Sequence, residues 1–243
     1  MYALFKKEIS AFLSSVIGYA VIAVFLILTG LFLWLLPGSF NITELGFSSL
    51  EPFFYIAPWV FIFLIPAVTM RMFSEELSNG TIELLYTRPI TDMQIILAKY
   101  LAALVLVIIA ILPTLLFFGT IYLLGSPRGN IDTGGTWGSY IGLVLLACGY
   151  LSIGIFASCL SKNQIVALLI AMVLCFIMYT GFQSIANFDL LGPADHYVKK
   201  IGMQEHYASL SIGLIDTRDV VYFVGLVAIF LLLTKAVLGA RKW

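Results

Sequence analysis

Charge is what this sequence has least of. Lys+Arg number 13, Asp+Glu 13 and His 2 in 243 residues, so charged residues make up 11% of the chain; soluble domains carry about 25%. A formal net charge of zero gives no basic field for nucleic acid. The three cysteines, Cys148, Cys159 and Cys175, all lie inside apolar runs, which excludes a secreted-type disulfide framework and leaves small apolar packing as their expected role. There is no G-x-x-x-x-G-K-[ST], so the chain has no P-loop for ATP, and no H-E-x-x-H for zinc. Ser152, between Gly149 and Gly154, does not complete a G-x-S-x-G elbow. The two histidines, His196 and His206, lie outside the apolar runs; with Asp195 or Glu205 they match no standard metal spacing, and solvated or interfacial positions are expected for them.

What is abundant is hydrocarbon. Hydrophobic residues are 61% of the chain and the mean hydropathy is +1.05, the composition of a polytopic membrane protein. Lys6, Lys7 and Glu8 among Leu4, Phe5, Ile9, Phe12 and Leu13 predict an amphipathic helix over 1–15, lying in the membrane interface as an elbow helix does. Membrane spans are expected at about 16–36, 52–70, 95–124, 137–160, 165–183 and 220–238, each near the roughly 20 residues that a bilayer core requires. The first run is too long for a signal peptide and has no small-residue cleavage site after it. Pro52 suits the first turn of the second span, and Pro58, Pro66 and Pro113 are candidate kinks, since proline removes a helical hydrogen bond. Gly138 and Gly142 stand at GxxxG spacing and Gly154 and Ser158 repeat the interval, which predicts close helix packing. Asp132 or Thr136 is expected to cap the fourth span, Ser161 with Gln164 the fifth, and Asp216 with Asp219 the sixth. Residues 184–217 are expected to form short amphipathic helices at the outer face.

No acidic or basic side chain falls deep in a span; Lys99 and Lys235 sit near span ends, where snorkelling is expected. That lowers a proton-coupled carrier, while sodium sites built from carbonyls and hydroxyls stay compatible.

The polar island at 71–94 breaks the apolar pattern. It reads R-M-F-S-E-E-L-S-N-G-T-I-E-L-L-Y-T-R-P-I-T-D-M-Q, with Asn79-Gly80 as a break and a short helix expected over Thr81 to Thr87. Arg88-Pro89 ends that helix, and Thr91 with Gln94 forms a capping box for the next span. With the amino terminus inside, Lys6, Lys7, Arg71, Arg88, Lys99, Lys162, Lys235, Arg241 and Lys242 face the cytoplasm and Arg128, Lys199, Lys200 and Arg218 face out, which satisfies the positive-inside rule. Both termini and the island are then cytoplasmic.

The run E-E-L-S-N-G-T-I-E-L-L-Y-T-R-P-I-T, with Lys99 after it, resembles the first cytoplasmic loop of ABC-2-type transporter permeases. G-S-Y-I-G-L-V-L-L-A and F-A-S-C-L-S-K-N-Q-I-V-A are similar to the same family, as is the interfacial segment before the last span. The resemblance implies an all-α, type V exporter-like membrane domain in the bacterial inner membrane. It also implies that the loop is a coupling helix docked on a separate ABC ATPase, with ATP and Mg bound there and no cofactor bound by this chain. Glu75, Glu76, Gly80, Thr81 and Glu83 match the family pattern, and Leu84, Leu85, Arg88 and Pro89 continue it. A second permease copy or paralogue completes the path in that family. G-S-P-R-G-N-I-D and S-K-N-Q-I-V-A look most like the permease subunit associated with gliding motility in Bacteroidetes, which implies an auxiliary membrane protein and a link to motility or to secretion of surface components. An ion-coupled carrier, or another multispan protein working without an ATPase, is the alternative.

Overall fold

A computed structural model describes residues 1–44, 46–83, 90–188, 192 and 195–240. Among them there is no strand, and six helices are long and apolar enough to cross a membrane. Helix α1 is Tyr2–Ser14, the elbow. The first span is α2, Val16–Gly30, continued by a π turn at Leu31–Leu35. The second is α3, Glu51–Thr69, extended past a turn at Met70 by α4, Arg71–Ser78. The third is α5, Asp92–Ile111, a 3₁₀ turn at Leu112–Thr114, and α6, Leu115–Leu124. The fourth is α7, Thr133–Leu160. The fifth is α8, Gln164–Phe176, a π turn at Ile177–Gly181, and α9, Phe182–Ala186. Short helices α10, Asp195–Lys199, and α11, Met203–Ser211, precede the sixth span, α12, Thr217–Ala240.

The second and fourth spans form the spine: in each, 72% of the apolar window is buried, against 28%, 28% and 22% in the first, fifth and sixth. Helix α7 packs on α3, α4, α5, α8, α11 and α12. Its glycines make that possible. A Cβ on Gly154 would lie 2.2 Å from Thr69 Oγ1 in α3, and one on Gly142 would lie 2.5 Å from Leu210 Cβ in α11. A Cβ on Gly138 would meet the Gly213 carbonyl at 2.5 Å. The small-residue seam thus serves the α3 and α11 contacts inside one chain.

Local signals explain several boundaries. Asp132 caps α7 by accepting from Gly135 N–H at 2.9 Å. The Thr91–Gln94 capping box is formed in both directions. Pro52 sits in the first turn of α3, and α3 runs unbroken through Pro58 and Pro66, whereas Pro113 coincides with the 3₁₀ turn. Three expectations are corrected. Residues 71–78 are helix and not loop, because Met72 and Phe73 are buried against the bundle and carry the second span on as an amphipathic turn. Asn163, not Ser161, caps the fifth span, accepting from Ile165 N–H at 2.9 Å, while Ser161 Oγ accepts from Asn163 N–H. Asp216 accepts from Arg218 N–H at 2.9 Å, but Asp219 turns inward to other partners instead of capping.

Candidate functional site

Helix α4 is the arm that carries the second span on past Met70 along α7 and α8, and its base is held from across the structure. The turn at Met70 leaves the first N–H groups of α4 without helical acceptors. Ser158 of α7 supplies one: its Oγ accepts from Phe73 N–H at 2.9 Å and Ser74 N–H at 3.2 Å, and donates to the Met70 carbonyl at 3.1 Å. Ser74 Oγ also donates to that carbonyl.

Farther along the arm the two glutamates part ways. Glu75 pairs with Arg71 at 3.0 Å, one turn back, both side chains being a third or more exposed; such a pair contributes little. Glu76 reaches inward to Lys99 of α5, its Oε1 standing 2.8 Å from Nζ. Lys99 does not snorkel: it is 1% exposed, and its ammonium also donates to Glu8 Oε1 of α1 at 3.1 Å and to the Met72 carbonyl at 2.7 Å. Phe73 places its ring 5.2 Å from the same nitrogen. All three ammonium protons are therefore used. Two carboxylates share one cation, and Glu76 Oε2 is buried without a hydrogen-bond partner.

Beyond α4 the chain turns at Gly80, whose φ of +69° is the left-handed geometry that suits glycine at a helix end. Gly80, Thr81 and Glu83 are exposed and Ile82 is buried. Of the family-pattern positions, then, Glu75, Gly80, Thr81 and Glu83 face outward while Glu76 is spent on an internal ion pair. Leu84, Leu85, Arg88 and Pro89 lie outside the described residues, as does most of the helix expected over Thr81 to Thr87.

At the other end of the bundle, α11 is held by neutral and polar bonds. Pro58 has no N–H, so the carbonyl of Phe54, four residues back, has no helical donor. Tyr207 of α11 supplies it, its hydroxyl donating at 2.9 Å from a site only 3% exposed. His206 is half-buried, with both ring nitrogens partnered. Its ring stacks on Tyr222 at 3.9 Å between centroids, Nδ1 lies 2.7 Å from Asp219 Oδ1 and Nε2 lies 3.0 Å from the Lys200 carbonyl. Ser209 donates to the other oxygen of Asp219 and to the His206 carbonyl, not to the imidazole, so no nucleophile–base pair exists here; the cluster ties α11 to the start of α12. Among the described residues no group of His, Cys, Asp and Glu could hold a metal.

A groove of about 680 Å³ between α2 and α3 is lined by apolar and aromatic side chains such as Val24, Leu28, Phe32, Trp59 and Phe63. It offers no convergent polar groups for catalysis.

Lys99, Glu8, Tyr207 and His206 escape a reading by motif. Two signals were present: a single lysine set among Ile95, Ile96, Ala98 and Tyr100, and a proline that frees a carbonyl at a countable distance. Neither names its partner.

Six membrane-length helices packed around a buried spine define a multi-pass membrane protein. The family model for ABC-2 family transporter protein matches residues 2–243, and the chain belongs to that family. It is thus the transmembrane component of an ABC transporter, and ATP hydrolysis resides on a separate subunit. No curated protein sequence matches the chain.

Proposed function

We propose that this chain is the membrane half of an ATP-driven exporter in the bacterial inner membrane, and that α4 with the exposed turn through Glu83 is the element that docks on its ABC ATPase. The observation that carries this reading is the arm itself. It continues one of the two most buried spans, is fixed at its base by Ser158, and leads to an outward-facing Gly80, Thr81 and Glu83. Basic residues cluster at that end, which supports cytoplasmic termini and a cytoplasmic arm. ATP-driven closure of the ATPases pulls on the arm, the spans rearrange against those of a second copy or paralogue, and hydrolysis resets them. The resemblance of G-S-P-R-G-N-I-D and S-K-N-Q-I-V-A to the gliding-motility permease favours a role in motility or in secretion of surface components, with an auxiliary membrane protein alongside.

The test is co-purification from native membrane in mild detergent. A P-loop ATPase is expected with the wild-type chain and is expected to be lost with Thr81→Ala plus Glu83→Ala, exposed positions whose change leaves the melting temperature alone. If the wild-type chain purifies alone, or the double variant retains the ATPase, the coupling assignment is wrong.

A further inference from the structure

We propose that Lys99 is a positioning residue that yokes the elbow helix α1 to the arm α4, so that the two travel as one piece when the arm is displaced; this rests on the coupling reading above. Helix α1 rests on α5, and α4 rests on α7. Without broad packing between them, their link is the ammonium of Lys99, bonded to Glu8 on one side and to Glu76 and the Met72 carbonyl on the other. The group is buried, so water does not compete for these bonds, and the three acceptors exhaust its donors.

The stoichiometry gives the yoke a signature that simple packing lacks. Two carboxylates converge on one cation, so removing the cation does more than slacken the joint: Glu8 and Glu76 are left as facing like charges of low exposure and repel one another. Helix α1 leads directly through Ser15 into α2, so whatever moves α1 moves the first span.

The experiment places spin labels at Lys6→Cys on α1 and Asn79→Cys at the end of α4, both exposed, with Cys148, Cys159 and Cys175 replaced by alanine. Label-to-label distances are measured in the purified permease–ATPase complex, nucleotide-free and trapped with ADP and vanadate. With Lys99 intact, a single narrow distance is expected, the same in both states, and Lys99→Arg retains it. Lys99→Met is expected to lengthen the distance and at least double the width of its distribution. Lys99→Met with Glu8→Gln and Glu76→Gln removes the repulsion, so the distribution broadens without lengthening. A wild-type distance that changes between the two states overturns the yoke, as does a Lys99→Met distribution equal to that of the wild type. Failure of the wild-type chain to retain an ATPase would sink the coupling reading alone, since the nucleotide-free distances in the permease still test the yoke.

Discussion

The Tyr207–Phe54 bond is the most quantitative test of how this bundle is built. Tyr207→Phe keeps the ring and deletes the one hydroxyl that reaches the carbonyl freed by Pro58. At 3% exposure water does not replace it. An unsatisfied buried acceptor costs about 1–3 kcal/mol, although side-chain hydrogen bonds between membrane helices average nearer 0.6 kcal/mol. A loss of about 1 kcal/mol is therefore expected, or roughly 2–4 °C of melting temperature in a chain of this size. Pro58→Ala returns an N–H to the helix, and that N–H can satisfy Phe54 from within α3. In that background the same Tyr207→Phe change should cost well under half as much. The assay is a double-mutant cycle on unfolding in detergent micelles. Equal costs in the two backgrounds, within about 0.4 kcal/mol, would refute the account. The phenol also predicts a pH dependence. Burial first, and Tyr179 second, push Tyr207 well above the ordinary tyrosine value. Its contribution is thus fully present below about pH 10 and is lost as the pH rises beyond, so Tyr207→Phe should flatten the alkaline loss of stability.

Further outcomes follow from the same contacts. Gly154→Ala puts a methyl 2.2 Å from Thr69 Oγ1 and should cost about 1–3 kcal/mol of unfolding free energy, with partial rescue by Thr69→Ala. Gly225→Ala, which meets nothing within 4 Å, should leave stability unchanged or slightly raised. Ser158→Ala strands the amides of Phe73 and Ser74, and hydrogen exchange should quicken there while the rest of α7 stays protected. His206→Phe keeps the stack on Tyr222 but leaves Asp219 Oδ1 without its imidazole partner, and exchange should rise across α11 at a cost of about 1–3 kcal/mol.

Much of this architecture can be read from the chain because apolar length and turn chemistry are local. The six spans, the elbow helix, the Asp132 cap and the Thr91–Gln94 box each follow from residues a few positions apart. The misreadings share a different cause. Residues 71–78 look like loop because they are polar on one side, yet Met72, Phe73 and Ser74 bury the other side against the spine. Ser158 looks like a packing residue, and its hydroxyl caps a helix whose amides lie 85 and 84 positions away in sequence. Lys99 looks like a snorkelling cation because its counter-ions sit 91 and 23 positions away. Local pattern fixes which groups need partners; only the packed bundle decides which partners they find.

The two ends of the α3–α4 column are secured by different chemistry, and that difference sets where motion can go. Phe54 and Met72 stand about 27 Å apart by helix rise. At the first, a neutral hydroxyl closes a proline gap; near the second, Thr69 is locked against Gly154 and, one residue on, Ser158 clamps both sides of the turn. A column held at both ends, by α11 at one and by α7 at the other, does not bend easily, because close-packed contacts have little room to yield. Beyond Ser158 the arm is also attached through the ammonium of Lys99, and through Glu8 that attachment leads to α1 and so to the first span. The first span is only 28% buried in its apolar window, against 72% for the second. On the proposed coupling, force applied at Gly80 to Glu83 meets a stiff route through the spine and a softer one through the elbow. The softer route is the one that the proposed Lys99 yoke would control.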